Sequence, residues 1–79
     1  PERFFVAEII REKIFELYRD EIPFSTEVEI EDFKERSKGK DFVSASIIVE
    51  RNTQQGIMIG NKGEMIKRVG EISREAIEL

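Results

Sequence analysis

The residues of this chain best suited to chemistry are two glycines, Gly60 and Gly63, which enclose Asn61 and Lys62. Glycine allows a backbone to turn sharply and allows another chain to approach it closely. Lys62 places a compact positive charge at the tip of that turn. A helix that starts just after it would offer unpaired N–H groups, which attract anions. We call residues 60–63 the glycine turn and predict that it contacts a phosphate backbone.

Two other phosphate-binding patterns do not fit these glycines. A P-loop requires G-x-x-x-x-G-K-[ST], whereas the Gly56–Gly60 spacing is too short and Glu64 follows Gly63. The dinucleotide pattern requires its first two glycines two positions apart, and Gly56 and Gly60 are four apart. The alternative that stays open is that the glycines only connect two helices and bind nothing. The lysine and the flanking apolar segments favour a binding turn.

Composition excludes several kinds of chemistry. The 79 residues suffice for one domain and contain no Cys and no His. Thiol nucleophiles, disulfides, imidazole acid–base chemistry and zinc held by Cys or His are therefore excluded. No carboxyl lies in an apolar sequence context that would shift its pKa. We predict that this chain is not an enzyme and holds no metal or cofactor. No apolar run approaches the roughly 18 residues of a membrane helix.

The net charge of −4 is unevenly distributed along the chain. Residues 1–32 hold ten acids and four bases, and residues 71–79 hold three acids and one base. Residues 33–70, which include the glycine turn, hold eight bases and four acids. A polyanion responds to the local field rather than to net charge, so the basic middle of the chain is the predicted contact region.

Hydrophobic periodicity predicts a helix over residues 3–19, followed by two strands. The apolar stripe of the helix consists of Val6, Ile10, Ile14 and Leu17, widened by Phe5, Ile9 and Phe15. Pro23 is expected to stop the helix. Residues 25–33 alternate with period two, so Glu27, Glu29 and Glu31 face solvent while Val28 and Ile30 face the core.

The second strand is predicted over residues 42–51, after a polar loop at 34–41, and pairs antiparallel with the first. Its predicted inner face is Val43, Ala45, Ile47 and Val49, and its outer face is Ser44, Ser46 and Glu50.

A short helix should then run from Asn52 or Thr53, as N-cap, to Ile59, where Gly60 ends it. The last helix is predicted over residues 64–79, with an apolar stripe of Met65, Val69, Ile72, Ala76 and Leu79. Gly70 inside it is unfavourable for a helix and predicts close packing or close approach of a ligand. The order of helix, strand, strand, helix, turn and helix predicts an α+β fold.

The segment from Gly56 to Ile66 resembles the signature of a KH domain, and the upstream order resembles the type II form. Residues 3–15, 21–25 and 48–51 resemble the C-terminal domain of the Era GTPases. The resemblance implies single-stranded RNA binding near the 3′ end of small-subunit ribosomal RNA and a role in assembly of the small subunit. It implies a cytoplasmic protein, with peripheral contact to the inner membrane as an option. The implied RNA-binding residues are Gly60, Asn61, Lys62, Gly63, Ile57, Ile59 and Ile66, together with Lys67.

Two departures from that family are expected to matter. The GTP-hydrolysing domain is not in these 79 residues, and the chain stops at Leu79, before the loop and closing strand of a type II KH domain. We predict that the exposed sheet edge lowers stability or promotes self-association. Two alternatives stay open. One is another type II KH protein, such as a ribosomal protein or transcription factor. The other is an acidic protein-interaction module in which the turn is only structural.

Overall fold

The computed structural model describes residues 2–22, 26–34 and 42–78, and confirms the predicted order of elements and the α+β class. The helices are α1 (Glu2–Tyr18), α2 (Asn52–Ile59) and α3 (Glu64–Glu78), with short 3-10 segments at Arg19–Glu21 and Asn61–Gly63. The strands are β1 (Glu27–Lys34) and β2 (Phe42–Ile48), so β2 ends before the predicted residue 51. The expected stop at Pro23 and residues 35–41 of the expected loop lie outside the described residues.

The two strands pair antiparallel, as predicted, with one irregularity in β1. Ile30 lies opposite Ala45 and Asp32 lies opposite Ser44, so Glu31 is an extra residue without a partner in β2. Such a bulge reverses the alternation of side chains between the two faces. Phe33 therefore joins Val28 on the face that packs against the helices.

The inner face of the sheet agrees with prediction in most positions. Val43, Ile47 and Val49 pack against the core, whereas Ala45 is exposed. The outer face of the sheet, which faces away from the helices, consists of exposed Glu27, Glu29, Lys34, Phe42 and Ile48, with Asp32, Ser44 and Ser46 half-buried.

The buried stripe of α1 is narrower than predicted. Val6, Ile10 and Ile14 are buried as expected and Leu17 packs against them, but the stripe continues to Tyr18. The predicted burial of Phe5 and Phe15 is wrong, since these side chains are 64% and 50% exposed. A helix buries only the stripe that meets its neighbours, and a spacing of four residues from Val6 to Tyr18 follows that stripe.

The buried stripe of α3 also follows a spacing of four residues. Met65 and Val69 pack inward as predicted, and burial continues at Ser73 and Ile77. The predicted positions Ile72 and Ala76 are only half-buried, and Leu79 lies outside the described residues. Because α3 packs on α1, rows of side chains four residues apart meet at their contact.

The core lies between the three helices and the inner face of the sheet. Its buried members are Val6, Ile10, Ile14, Tyr18, Ile22, Met58 and Val69. In the described ranges no helix combines the length and apolar character needed to cross a membrane. The predicted self-association through a sheet edge stays a prediction, for which sedimentation is the measurement.

Candidate nucleic-acid interface

Helix α2 delivers the chain to the glycine turn. Its N-cap is Arg51, still in an extended conformation, so the predicted cap at Asn52 or Thr53 is wrong. The Oε1 atom of Gln54 accepts hydrogen bonds from the backbone N–H groups of Glu50 and Arg51, both at 3.1 Å. Gln54 is the third residue of the helix. Its contacts with the backbone define the start of α2, in place of a Thr or Asn side chain at the N-cap. The predicted end is confirmed, because Gly60 lies at φ 76° and its N–H bonds to the Gly56 carbonyl at 2.9 Å.

The backbone of the glycine turn is left-handed at three of its four residues. Gly60 and Gly63 have φ of 76°, and Lys62 has φ of 56°. For a residue with a side chain this region costs about 1 kcal/mol. The N–H of Gly63 bonds to the Gly60 carbonyl at 3.3 Å, and that of Glu64 bonds to the Asn61 carbonyl. Within the turn's described hydrogen bonds the N–H groups of Asn61 and Lys62 are not used, so they are available to an anion.

The two glycines of the turn serve different purposes. A Cβ atom on Gly60 would lie 2.5 Å from Cγ and 2.9 Å from the backbone nitrogen of Met65. A Cβ atom on Gly63 would meet only a methyl carbon of Ile66, at 4.0 Å. Gly60 is therefore needed for packing of the turn on α3, whereas the space beside Gly63 is open to a ligand.

The predicted side chains around the turn are all accessible. Asn61, Lys62 and Lys67 are exposed. Ile57, Ile59 and Ile66 are also exposed, Ile59 by 43%, while Met58 takes the core position of α2. These isoleucines lie within one helical turn of the glycine turn on either side, so apolar surface adjoins the unpaired N–H groups. Exposed apolar surface of this kind can contact unstacked bases.

Arg68 and Arg51 are two further exposed cations close to the turn in the chain. The other bases of the predicted basic region include Lys34, on the outer face of the sheet, and three that lie outside the described residues, Arg36, Lys38 and Lys40. For Gly70, the predicted close packing is wrong, because no atom lies within 4 Å of the position its Cβ would take. Close approach of a ligand there stays a prediction.

Sequence reasoning missed Tyr18, whose hydroxyl donates a hydrogen bond to the Met58 carbonyl at 2.5 Å. Burial raises the pKa of the Tyr18 phenol above its usual value. Only the spacing of four residues from Ile14 indicated that Tyr18 would be buried. Across the described part of the chain, no three Cys, His, Asp or Glu side chains cluster as metal ligands.

Comparison with known proteins places the chain among RNA-binding modules. A family model described as "KH domain" matches residues 21–79. GTPase Era of Geobacter sp. (strain M21) is 58% identical over 78 residues, which are 99% of this chain and 26% of that protein. GTPase Era of Thermotoga maritima is 53% identical with the same coverage. The chain thus spans about a quarter of the length of these relatives, and the matched family is a KH domain rather than a GTPase domain.

Two solved structures share the fold at 36% identity. A crystal structure of Aquifex aeolicus Era bound to GDP·AlF4− superposes with a TM-score of 0.89, covering 99% of this chain and 27% of that one. The second structure, Era in complex with MgGDPNP and nucleotides 1506–1542 of 16S ribosomal RNA, has a TM-score of 0.87, with 99% and 26% covered. These matches confirm the resemblance to Era drawn from the sequence.

Proposed function

The chain belongs to the KH domain family, and on this basis we propose that it binds single-stranded RNA at the glycine turn. The observation that carries the proposal is the left-handed turn itself, with two N–H groups free for phosphate and an exposed lysine at its tip. Phosphate contacts of this kind orient a nucleic acid without reading its sequence. The open side of Gly63 leaves room for the sugar–phosphate chain to lie against the backbone.

Base contacts are assigned to the apolar surface beside the turn. Ile57, Ile59 and Ile66 are exposed without an evident role in the core. Unstacked bases of single-stranded RNA can lie on such surface while phosphates contact the turn. Lys67, one turn of helix beyond Gly63, adds charge along the path of the strand.

The RNA partner that we propose is the 3′ end region of 16S ribosomal RNA. Support comes from the solved Era complex, which contains nucleotides 1506–1542 of that RNA. The chain would then be the RNA-binding part of an Era-like GTPase in small-subunit assembly in the cytoplasm. GTP hydrolysis is assigned to a part of the protein outside these residues.

An acidic protein-interaction module is the second candidate, favoured by one observation. On the outer face of the sheet, exposed Glu27 and Glu29 lie on one strand, and exposed Phe42 and Ile48 lie on the other. A basic partner with apolar residues would fit this face. RNA binding that weakens steeply with salt favours the glycine turn, whereas no RNA binding at low salt favours the sheet.

Charge reversal in the turn tests the RNA site. We expect Asn61→Asp with Lys62→Asp to weaken binding of a fluorescent RNA of nucleotides 1506–1542 by at least about tenfold, because it places two carboxylates where phosphate should bind. Aspartate tolerates the left-handed backbone at position 62. The matched control, Lys34→Asp with Ser46→Asp, makes the same change in total charge on the outer face of the sheet. Equal losses in both variants, or none in the turn variant, would show that the site is wrongly assigned.

A further inference from the structure

Tyr18 joins the end of α1 to the end of α2. Its side chain is 2% exposed, and its hydroxyl donates to the carbonyl oxygen of Met58 across 40 positions of sequence. Met58 is also buried and lies two residues before Gly60. The bond therefore attaches the last turn of α2, from which the glycine turn departs, to the core of the domain.

The carbonyl that Tyr18 contacts needs a partner. The last four carbonyls of an α-helix have no intrahelical donor. In α2, the Gly56 carbonyl is satisfied by the N–H of Gly60. Met58 is buried, and a carbonyl without a partner in such a position is unfavourable. A phenol is protonated at neutral pH, and burial moves the pKa of Tyr18 further upward, so the hydroxyl is a donor there.

A second buried contact holds the other side of the turn. Gly60 approaches Met65 so closely that no Cβ would fit, and Met65 packs against the core beside Val69. The turn is thus held between the Tyr18–Met58 bond before it and the Gly60–Met65 contact after it. Van der Waals packing allows small displacements, whereas a hydrogen bond to a rigid phenol specifies the direction in which the chain leaves α2.

We propose that Tyr18 is a positioning residue for the RNA-binding turn. The inference rests on the proposed function, because it concerns the site assigned to RNA. Tyr18 does not contact RNA; it orients residues 60–63 through the Met58 carbonyl. A residue at the end of α1 thereby contributes to affinity although it is distant in sequence from every RNA contact.

Tyr18→Phe in the complete chain is the test, because it removes the hydroxyl and keeps the ring. We expect affinity for the RNA of nucleotides 1506–1542 to fall about five- to tenfold, the equivalent of one neutral hydrogen bond. Amide NMR signals of residues 60–63 should shift and their hydrogen exchange should accelerate. Signals of β1 and β2 should stay in place.

Val28→Ala is the matched control, since it lowers stability by truncating a half-buried side chain of the sheet. Urea unfolding of both variants allows the affinities to be compared at equal folded fraction. Signals of the turn that are unchanged in Tyr18→Phe, or changed equally in Val28→Ala, overturn the positioning role. Failure of the unmodified chain to bind RNA would overturn the proposed function, and the NMR signals would still decide whether Tyr18 orients the turn.

Discussion

The glycine turn and the outer face of the sheet differ in charge and in backbone geometry. Lys62 lies in the turn, Lys67 and Arg68 follow it, and across the described residues none of the three forms an ion pair. The outer face carries exposed Glu27 and Glu29, and its cation Lys34 is paired with Asp32 at 3.6 Å. The net charge of −4 therefore describes neither surface. A polyanion is attracted to the glycine turn and repelled by the outer face of the sheet.

The glycine turn and the sheet also differ in backbone conformation. Three of the four residues of the turn are left-handed, whereas β1 departs from regular pairing only at the Glu31 bulge. Unfavourable backbone persists only where surrounding contacts compensate for it, and such positions are concentrated at functional sites. Here the compensating contacts are the burial of Met58 and the packing of Met65. The turn thus differs from the outer face of the sheet in the left-handed backbone of Lys62, which has a conformational cost, as well as in its charge.

The largest effect is expected from substitutions that disturb the backbone of the glycine turn. We expect Gly60→Ala to lower the free energy of unfolding by roughly 3 kcal/mol, because it adds a left-handed alanine and a clash with Met65. Gly63→Ala, with open space around it, should lose only about 1 kcal/mol. Urea denaturation measures both. Equal losses would mean that the two glycines serve the same purpose, contrary to the geometry.

A smaller effect is expected from charge alone. Lys62→Asn removes the charge while keeping a residue that tolerates positive φ. RNA affinity should fall about fivefold, and the slope of log affinity against log salt should decrease by about 1, as for one lost phosphate contact. Arg19→Asn is the control, because Arg19 is also exposed, has φ of 51° and lies outside the turn. If both variants change the salt slope alike, RNA binding depends on the overall charge of the chain and not on a charge in the glycine turn.

The smallest effect is expected on the outer face. Glu27→Gln with Glu29→Gln should strengthen RNA binding by less than about twofold at physiological salt, since exposed charges away from the ligand are largely screened. Fluorescence anisotropy at low and physiological salt measures the difference. A change of tenfold or more would place RNA on the sheet rather than on the turn.

Features that depend on neighbouring residues were predictable from the sequence. Periodicity indicated the three α-helices and two strands of the described residues in the correct order, and a glycine after a short apolar helix indicated where α2 ends. The charge distribution along the chain indicated which segment is basic. Errors of a few residues at strand ends, such as the end of β2, reflect competition among local contacts that periodicity does not resolve.

Features that depend on distant partners were not predictable. The Glu31 bulge moves Phe33 to the inner face through pairing with β2. The start of α2 was predicted wrongly even though its contacts are local, because the Gln54 side chain, three residues from Arg51, reaches back to the backbone where an Asn or Thr cap was expected. Phe5 and Phe15 are large apolar side chains that periodicity places on the buried stripe, yet they are exposed because the stripe that meets the core runs from Val6 to Tyr18 at a spacing of four.

The sequence by itself determined where the glycine turn lies and that it is cationic, because glycine and lysine act through their own backbone and charge. Only the tertiary structure decided how the turn is held. The Tyr18–Met58 hydrogen bond spans 40 positions of sequence, and the need for glycine at position 60 comes from Met65. The first contact exists because tertiary packing brings the end of α1 to the end of α2, and no local pattern encodes that proximity. The second joins groups five residues apart, but it depends on the direction in which α3 leaves the turn.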